Sequence, residues 1–401
     1  MRKALIFILL LVAATGWSQD RMELAPTPPM GWMSWNLYGE NINEQLIRDV
    51  ADAMVEKGYR DAGYTYIFID DCWQGGRDKH NFIIPDPEKF PSGIKALADY
   101  VHSRGLKLGI YSDAAKLTCA GYTASYGFEE QDACTFASWG IDYLKYDYCG
   151  APADAAEAAR RYKAMADALS ASGRDIVLGI CEWGRLSPEK WASHSGGSVF
   201  RTSGDVRDMW RDLIGRGGMG ILDIIGITAP LLPYQTKGCW LDMDMLVVGL
   251  NGAGGPSRYL GGTGCTPDEY RTQMAMWCMF ASPLAMTHDL VADDDDAREI
   301  LLNQDLIAIN QDASGLPARR LVDTAEYQVY LRELSGGDYA LAVLACGDSP
   351  VGLTLCFADL GLPGKFHVRD LWAHKPVGRR PLSRLSISLP PHATAVYRIF
   401  R

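Results

Sequence analysis

Acidic residues recur in this chain at one kind of position, the end of a short apolar run. Asp70 and Asp71 close the run 64–71, Asp113 closes 106–113, Asp147 closes 141–147 and Glu182 closes 176–182. Asp205 follows 198–201, Asp242 and Asp244 sit at 239–244, and His288-Asp289 follows 283–287. One acid after a strand often caps the next helix. Acids at nearly every strand end repel one another unless a metal, bases or a polyhydroxyl ligand compensates. Lys145 and Arg201 stand among them and supply positive charge. Trp32, Trp35, Trp73, Tyr111 and Trp183 lie beside the same ends, where aromatic faces could pack on the C–H surface of a sugar, although each alone also reads as core packing. Two carboxylates flanking a glycosidic bond suffice for its hydrolysis, and in the retaining version they stand ~5–5.5 Å apart. Spacing alone leaves open a metal site, a sugar site or a set of helix caps, and does not say which carboxylates would form the pair.

The elements that must position these residues alternate. In 42–58, Ile47, Val50, Met54 and Val55 recur at helical spacing and Gly58 stops the run. Helices are predicted at 91–104, 128–139 and 154–170, each followed by one of the acid-terminated strands. With 31–35 as the first strand, about eight β-α units fill the first two-thirds of the chain. Buried parallel strands in that number predict an α/β fold, a (β/α)8 TIM barrel whose strand ends share one face. An open doubly wound sheet is the rival, but no Gly-x-Gly-x-x-Gly follows a strand. Beyond Leu316 the texture changes to short strands at 327–331, 338–345, 351–357, 366–371 and 393–400, separated by Gly, Pro, Ser and Asp. This predicts a C-terminal antiparallel β-sandwich. The expected division is a barrel over 26–314 and a sandwich over 315–401.

The 401 residues carry a net charge of −10, and no basic run offers a nucleic-acid backbone a partner. Met1-Arg-Lys3, an apolar run over 4–14 and Gly16-Trp-Ser18 form an n-region, an h-region and a small-x-small cleavage site. A signal peptide over 1–18, cut near Ser18, is expected, and with it a secreted or periplasmic protein with no membrane association after cleavage. None of the ten cysteines forms a C-x-x-C pair, so no zinc cluster is expected, and neither a metal nor a cofactor is called for.

The motifs taken in order resemble glycoside hydrolase family 27, the α-galactosidase and α-N-acetylgalactosaminidase group. They are Pro29-Met-Gly-Trp-Met-Ser-Trp35, Ile69-Asp-Asp-Cys-Trp73, Leu108-Gly-Ile-Tyr-Ser-Asp113, Thr118-Cys-Ala-Gly121, Tyr143-Leu-Lys-Tyr-Asp-Tyr-Cys149, Cys181-Glu-Trp-Gly184, Arg201-x-x-x-Asp205, Asp242-Met-Asp-Met-Leu246 and Ile309-Asn-Gln-Asp312. The resemblance implies that Asp147 is the nucleophile and Asp205 the acid/base of a retaining exo-glycosidase acting on α-galactoside oligosaccharides or polysaccharides. It implies that Asp70 and Asp71 hold the galactose 4- and 6-hydroxyls, that Lys145 keeps Asp147 ionised, and that Arg201 lies on the 2-hydroxyl side. Trp35 would floor the pocket, with Tyr111, Asp244 and Met245 lining it and Trp183 beside it. Glu182 would favour a free 2-hydroxyl over an acetamido group, and Asp71 a hexose over a pentose. Cys119 and Cys149 match a family disulfide. The family's α-N-acetylgalactosaminidases and β-L-arabinopyranosidases are the nearest alternatives. An inactive sugar-binding protein would be expected to lack Asp147 or Asp205, and both are present. Cys72 lacks its usual partner in 37–43, Asp242-Met-Asp244 departs from the usual Asp-Pro-Asp, and the loop 215–238 is unlike the family.

Overall fold

The computed structural model describes residues 21–211, 218–253, 262–292 and 294–401. The expected signal segment 1–18 and residues 212–217 of the unfamiliar loop lie outside them. Eight parallel strands follow one another: β1 (Met30–Met33), β2 (Tyr66–Phe68), β3 (Lys107–Asp113), β4 (Tyr143–Asp147), β5 (Val177–Ile180), β6 (Val199–Arg201), β7 (Trp240–Asp242) and β8 (Leu284–Met286). Each pairs with the next in chain order from β1 to β7, and β8 returns to β1. A parallel bridge between Leu246 and Met286 joins the remaining edges, so the sheet closes. Closure sends every strand end to one rim.

The first connecting helices form where the sequence gives buried apolar residues at helical spacing, and two of the four also have a side-chain cap. Asn43 caps α1 (Glu44–Glu56) by accepting from the Leu46 amide at 2.8 Å, and Ile47, Val50 and Met54 bury its inner face. Then come α2 (Gly93–Ser103), α3 (Glu129–Trp139) and α4 (Ala155–Ala171), the last capped by Asp154. After β5 the connection is only a 3₁₀ turn, Pro188–Lys190. The later helices α5 (Ile221–Thr228), α6 (Pro267–Met279), α7 (Asp295–Leu301) and α8 (Gln304–Asn310) were not predicted. Helix α6 is buried on nearly every side, so it lacks the polar stripe that marks a surface helix. The first strand is Met30–Met33 and ends earlier than the expected 31–35: Trp35 instead begins a helical turn, Trp35–Tyr38. Away from the rim, the rings of Tyr66, Phe68 and Tyr143 fill the barrel, with Phe68 and Tyr143 4.8 Å apart. Gly179 on β5 leaves the space the Tyr143 hydroxyl occupies, and any Cβ there would collide with it.

The C-terminal strands are β9 (Arg319–Asp323), β10 (Tyr327–Glu333), β11 (Tyr339–Ala345), β12 (Val351–Cys356), β13 (His367–Asp370), β14 (Lys375–Pro376), β15 (Arg384–Leu389) and β16 (Thr394–Phe400). They form a six-stranded sheet, β9-β10-β11-β16-β13-β14, covered by the β12-β15 pair. All pairings are antiparallel, and Val329, Leu341, Val343, Phe357, Ile387 and Ile399 fill the space between the layers. Strands β9, β14 and β15 were not foreseen: β9 has no fully buried residue and β14 only two residues, whereas β15 buries every second residue, a strand signal that was available in the sequence. The other face of the larger sheet seats on the barrel. Arg332, wholly buried, donates to the Cys278 carbonyl on α6 at 2.8 Å.

Candidate active site

The rim gathers the acids into two groups, each around one cation. On β3 and β4, Tyr111 pairs with Lys145 and Asp113 with Asp147. The two-residue period of a strand therefore points all four side chains to one face. The Tyr111 hydroxyl donates to Asp147 Oδ2 at 2.8 Å. Lys145 Nζ lies 2.7 Å from Asp70 Oδ2 and 5.4 Å from the Tyr111 ring centre. Asp70 is fixed by donation from the Asp71 amide to its Oδ1 at 2.8 Å. Asp71 accepts from the Cys72 amide at 2.7 Å and the Ala120 amide at 2.9 Å.

Arg201, at the end of β6, is the second cation, with a side chain only 2% exposed. Its Nη1 lies 3.1 Å from Asp244 Oδ1 and its Nη2 3.1 Å from Asp205 Oδ1. Asp244 Oδ2 accepts from the Val206 amide at 2.8 Å, tying the segment after β6 to the turn after β7. Cys72, Trp183 and Asp244 have φ of 75°, 61° and 70°. Each non-glycine residue is thus held in the left-handed region just past a strand end, the kind of backbone strain that clusters at functional sites.

Burial and charge set the ionisation of these groups. Burial pushes Asp147 up to about 6, against the opposing charge of Lys145. Burial would depress Lys145, but Asp70 and Asp147 outweigh it and hold the ammonium well above its ordinary range. Arg201 is held up in the same way, chiefly by Asp244. Asp113, buried beside Asp147, rises to about 9 and is a neutral carboxyl at neutral pH. Glu182 rises to about 7 through burial, although its Oε2 accepts from the Leu186 amide at 2.6 Å.

A cavity of about 420 Å³ opens beside this rim, lined among others by Tyr148, Ala151, Glu182, Trp183, Arg185 and Asp205. Arg185 lies 4.7 Å over the Trp183 ring. Met245 is buried next to Asp244, and Trp35 is half-buried against the main core. Cys119 and Cys149 form a disulfide with Cα atoms 5.1 Å apart, and Cys119 Sγ lies 3.4 Å from Asp147 Oδ2. Asp113, Cys119, Asp147 and Cys149 bring ligand-type atoms within 4.8 Å of one another, but both sulfurs are spent in the bridge and are not thiolates. Cys72 is a buried free thiol.

Residues 27–312 match the family model described as alpha galactosidase A, and residues 324–399 match the alpha galactosidase C-terminal beta sandwich domain. This chain belongs to the α-galactosidase family, glycoside hydrolase family 27. It is 40% identical to alpha-galactosidase A of Cellvibrio japonicus, over 100% of this chain and 99% of that protein. The crystal structure of alpha-galactosidase I from Mortierella vinacea superposes with a TM-score of 0.87 at 36% identity, covering 94% of this chain and 97% of the other. The Saccharomyces cerevisiae alpha-galactosidase solved with raffinose superposes at 0.86 and 28% identity, covering 94% and 98%.

Within this α-galactosidase-family barrel, some residues at the rim were not singled out from sequence. Cys181 lies between the two groups: its thiol hydrogen-bonds Asp147, and its sulfur is 3.7 Å from Arg201 Nη1. Its place at the end of β5 was the available signal, but the adjacent Glu182 carried the more obvious chemistry. Trp277 donates to the Asp244 carbonyl at 2.8 Å from α6, a helix that gave no periodic signal.

Proposed function

We propose that this chain is a retaining exo-α-galactosidase in which Asp147 is the nucleophile and Asp205 the acid/base. The observation that carries the assignment of roles is the unlike setting of the two carboxylates. Asp147 is buried, grips the Tyr111 hydroxyl and lies in the field of Lys145. Asp205 has a side chain 39% exposed and lines the open cavity. A nucleophile must stay ionised and fixed, whereas an acid/base must reach a leaving oxygen and then a water.

Asp147 attacks the anomeric carbon while Asp205 protonates the departing oxygen, giving a β-linked glycosyl-enzyme. Asp205 then takes a proton from water, which attacks the same carbon, releases Asp147 and restores the α configuration. Asp70 and Lys145 hold hydroxyls on the side away from the cavity, with Asp71 beside Asp70. Trp35, Tyr111, Asp244 and Met245 shape the pocket, and Arg201 orients Asp205. Glu182 and Trp183 bound the 2-hydroxyl side. A raffinose-type oligosaccharide or a galactose-substituted polysaccharide is the expected substrate, consistent with the sugar bound in the yeast relative. The N-terminal pattern supports a signal peptide cut near Ser18 and a secreted or periplasmic enzyme, which N-terminal sequencing of exported protein would check.

A panel of nitrophenyl α-galactoside, α-N-acetylgalactosaminide and β-L-arabinopyranoside tests the specificity. Turnover should be highest on the first, and a preference for either of the others would replace the reading.

A further inference from the structure

The two carboxylates are mounted differently. Asp147 ends a strand inside the barrel sheet, whereas Asp205 stands four residues beyond the end of β6, in the irregular segment 202–211. Among the described residues its carboxylate has one ion pair, to Arg201. The direction in which it points therefore depends on what holds that segment. On the barrel side, the Met219 amide donates to the Asp205 carbonyl and the Arg207 amide to the Met219 carbonyl, both at 2.8 Å. The Ile221 and Leu222 amides donate to the Met209 and Trp210 carbonyls at 3.0 Å. The Val206 amide donates to Asp244, and Asp208 accepts from the Tyr270 hydroxyl at 2.8 Å and the Gly252 amide at 2.7 Å. On the other side the holder is the C-terminal domain. The His392 imidazole stacks on the Trp210 indole, with ring centres 4.6 Å apart and planes 19° from parallel. Arg211 donates to the Cys346 carbonyl at 3.3 Å.

His392 is itself fixed from every direction. Its Nδ1 lies 2.6 Å from Glu269 Oε1 on α6, and its Nε2 lies 3.0 Å from Asp348 Oδ1. Its carbonyl accepts from the Thr272 hydroxyl at 2.6 Å. It follows Pro390 and Pro391, and its φ is 64°, a left-handed conformation that needs such support. Glu269 is at the same time the N3 partner of Thr266 in the capping box of α6. A strained, triply tethered residue that meets the barrel on the segment carrying Asp205 is more than domain glue.

We propose that His392 is a positioning residue for the acid/base. Stacked on Trp210, it fixes the segment after β6, so that the C-terminal domain sets the aim of Asp205. The proposal rests on the reading of Asp205 as acid/base, and that reading has its own check: Asp205→Ala should form galactosyl azide of retained configuration when azide is added.

The experiment measures kcat/KM, which reports the first bond cleavage, on two α-galactosides. One has a poor leaving group, the disaccharide of galactose α-linked to glucose; the other has 2,4-dinitrophenolate, which departs without a proton. General acid catalysis contributes about 10²–10⁴, so a mis-aimed Asp205 in His392→Ala should lower the disaccharide value roughly tenfold and the dinitrophenyl value less than about twofold. His392→Phe, which keeps the stack, should restore the ratio, and His392→Gln, which keeps only polar tethers, should not. Equal losses on both substrates, or no loss on either, would overturn the proposal. Should His392→Ala fail to fold, Trp210→Leu against Trp210→Phe makes the same comparison.

Discussion

Replacing Asp147 by asparagine should abolish turnover and yet stabilise the fold, in a way that depends on pH. Burial raises the carboxyl from its ordinary 3.8 to about 6. That difference corresponds to about 3 kcal/mol by which ionised Asp147 opposes folding above pH 6. The sign follows from proton counts. Between pH 3.8 and about 6 the folded chain holds this proton and the unfolded chain does not, so stability from this group is full at low pH and lost as pH rises. The substituted amide carries no charge in either state. The advantage of Asp147→Asn over the wild type should then be up to about 3 kcal/mol at pH 7.5 and about 1 kcal/mol at pH 4.5. At roughly 2 cal/mol/K of unfolding entropy per residue, the larger figure is a rise in Tm of about 4 °C. The Tyr111 hydroxyl can still donate to the amide oxygen, and Lys145 keeps Asp70 2.7 Å away, so the site is not otherwise stripped. Thermal unfolding of both proteins across that pH range makes the measurement. A gain that does not change with pH, or a variant less stable than wild type at pH 7.5, would refute the electrostatic reasoning.

The same group should govern the acid limb of kcat/KM, which is expected to bend near pH 6 with Asp147 ionised above it. Lys145→Met removes the main opposing charge, so its limb should move to higher pH, and an unmoved limb would separate Lys145 from the ionisation of Asp147. Glu182→Ser should open the 2-hydroxyl side and shift the ratio of α-N-acetylgalactosaminide to α-galactoside turnover by about tenfold or more, in line with what one changed pocket group can do. An unchanged ratio in a nitrophenyl assay would remove Glu182 from the specificity of the enzyme.

The parts of the fold legible in the sequence are those where each element carries its own local signal. Strands β2 to β5 are short apolar runs ended by acids, and α1 to α4 carry buried apolar residues at helical spacing, with side-chain caps on α1 and α4, so their order alone called for a barrel. The signal fails where tertiary contacts replace it. Helix α6 is buried by both domains and has no polar face, and β9 is assembled by its neighbour β10 through a register irregularity. The active-site acids were legible as a set, because a barrel brings every strand end to one rim. Their grouping was not. Asp113 and Asp147 stand directly opposite each other only because β3 and β4 pair in one particular register. Asp244 meets Arg201 only because a left-handed turn follows β7.

That grouping answers how so many acids share one rim. Two cations could not neutralise them all. Lys145 serves Asp70 and Asp147, and Arg201 serves Asp205 and Asp244. The remainder are met by other means: Asp71 by the amides of Cys72 and Ala120, and Asp242 by the Asp244 amide and the charge of Arg201. Asp113 is met by giving up its charge, since at about 9 it keeps its proton while Asp147 beside it does not. A neutral Asp113 matters to the chemistry. A second ionised carboxylate in register with Asp147 would raise Asp147 further and favour its protonated form at neutral pH. By taking the proton, Asp113 leaves the one negative charge of the pair on the carboxylate that also has Lys145 in its field and the Tyr111 hydroxyl on its oxygen. The charge of the pair thus rests on the residue proposed above as the nucleophile.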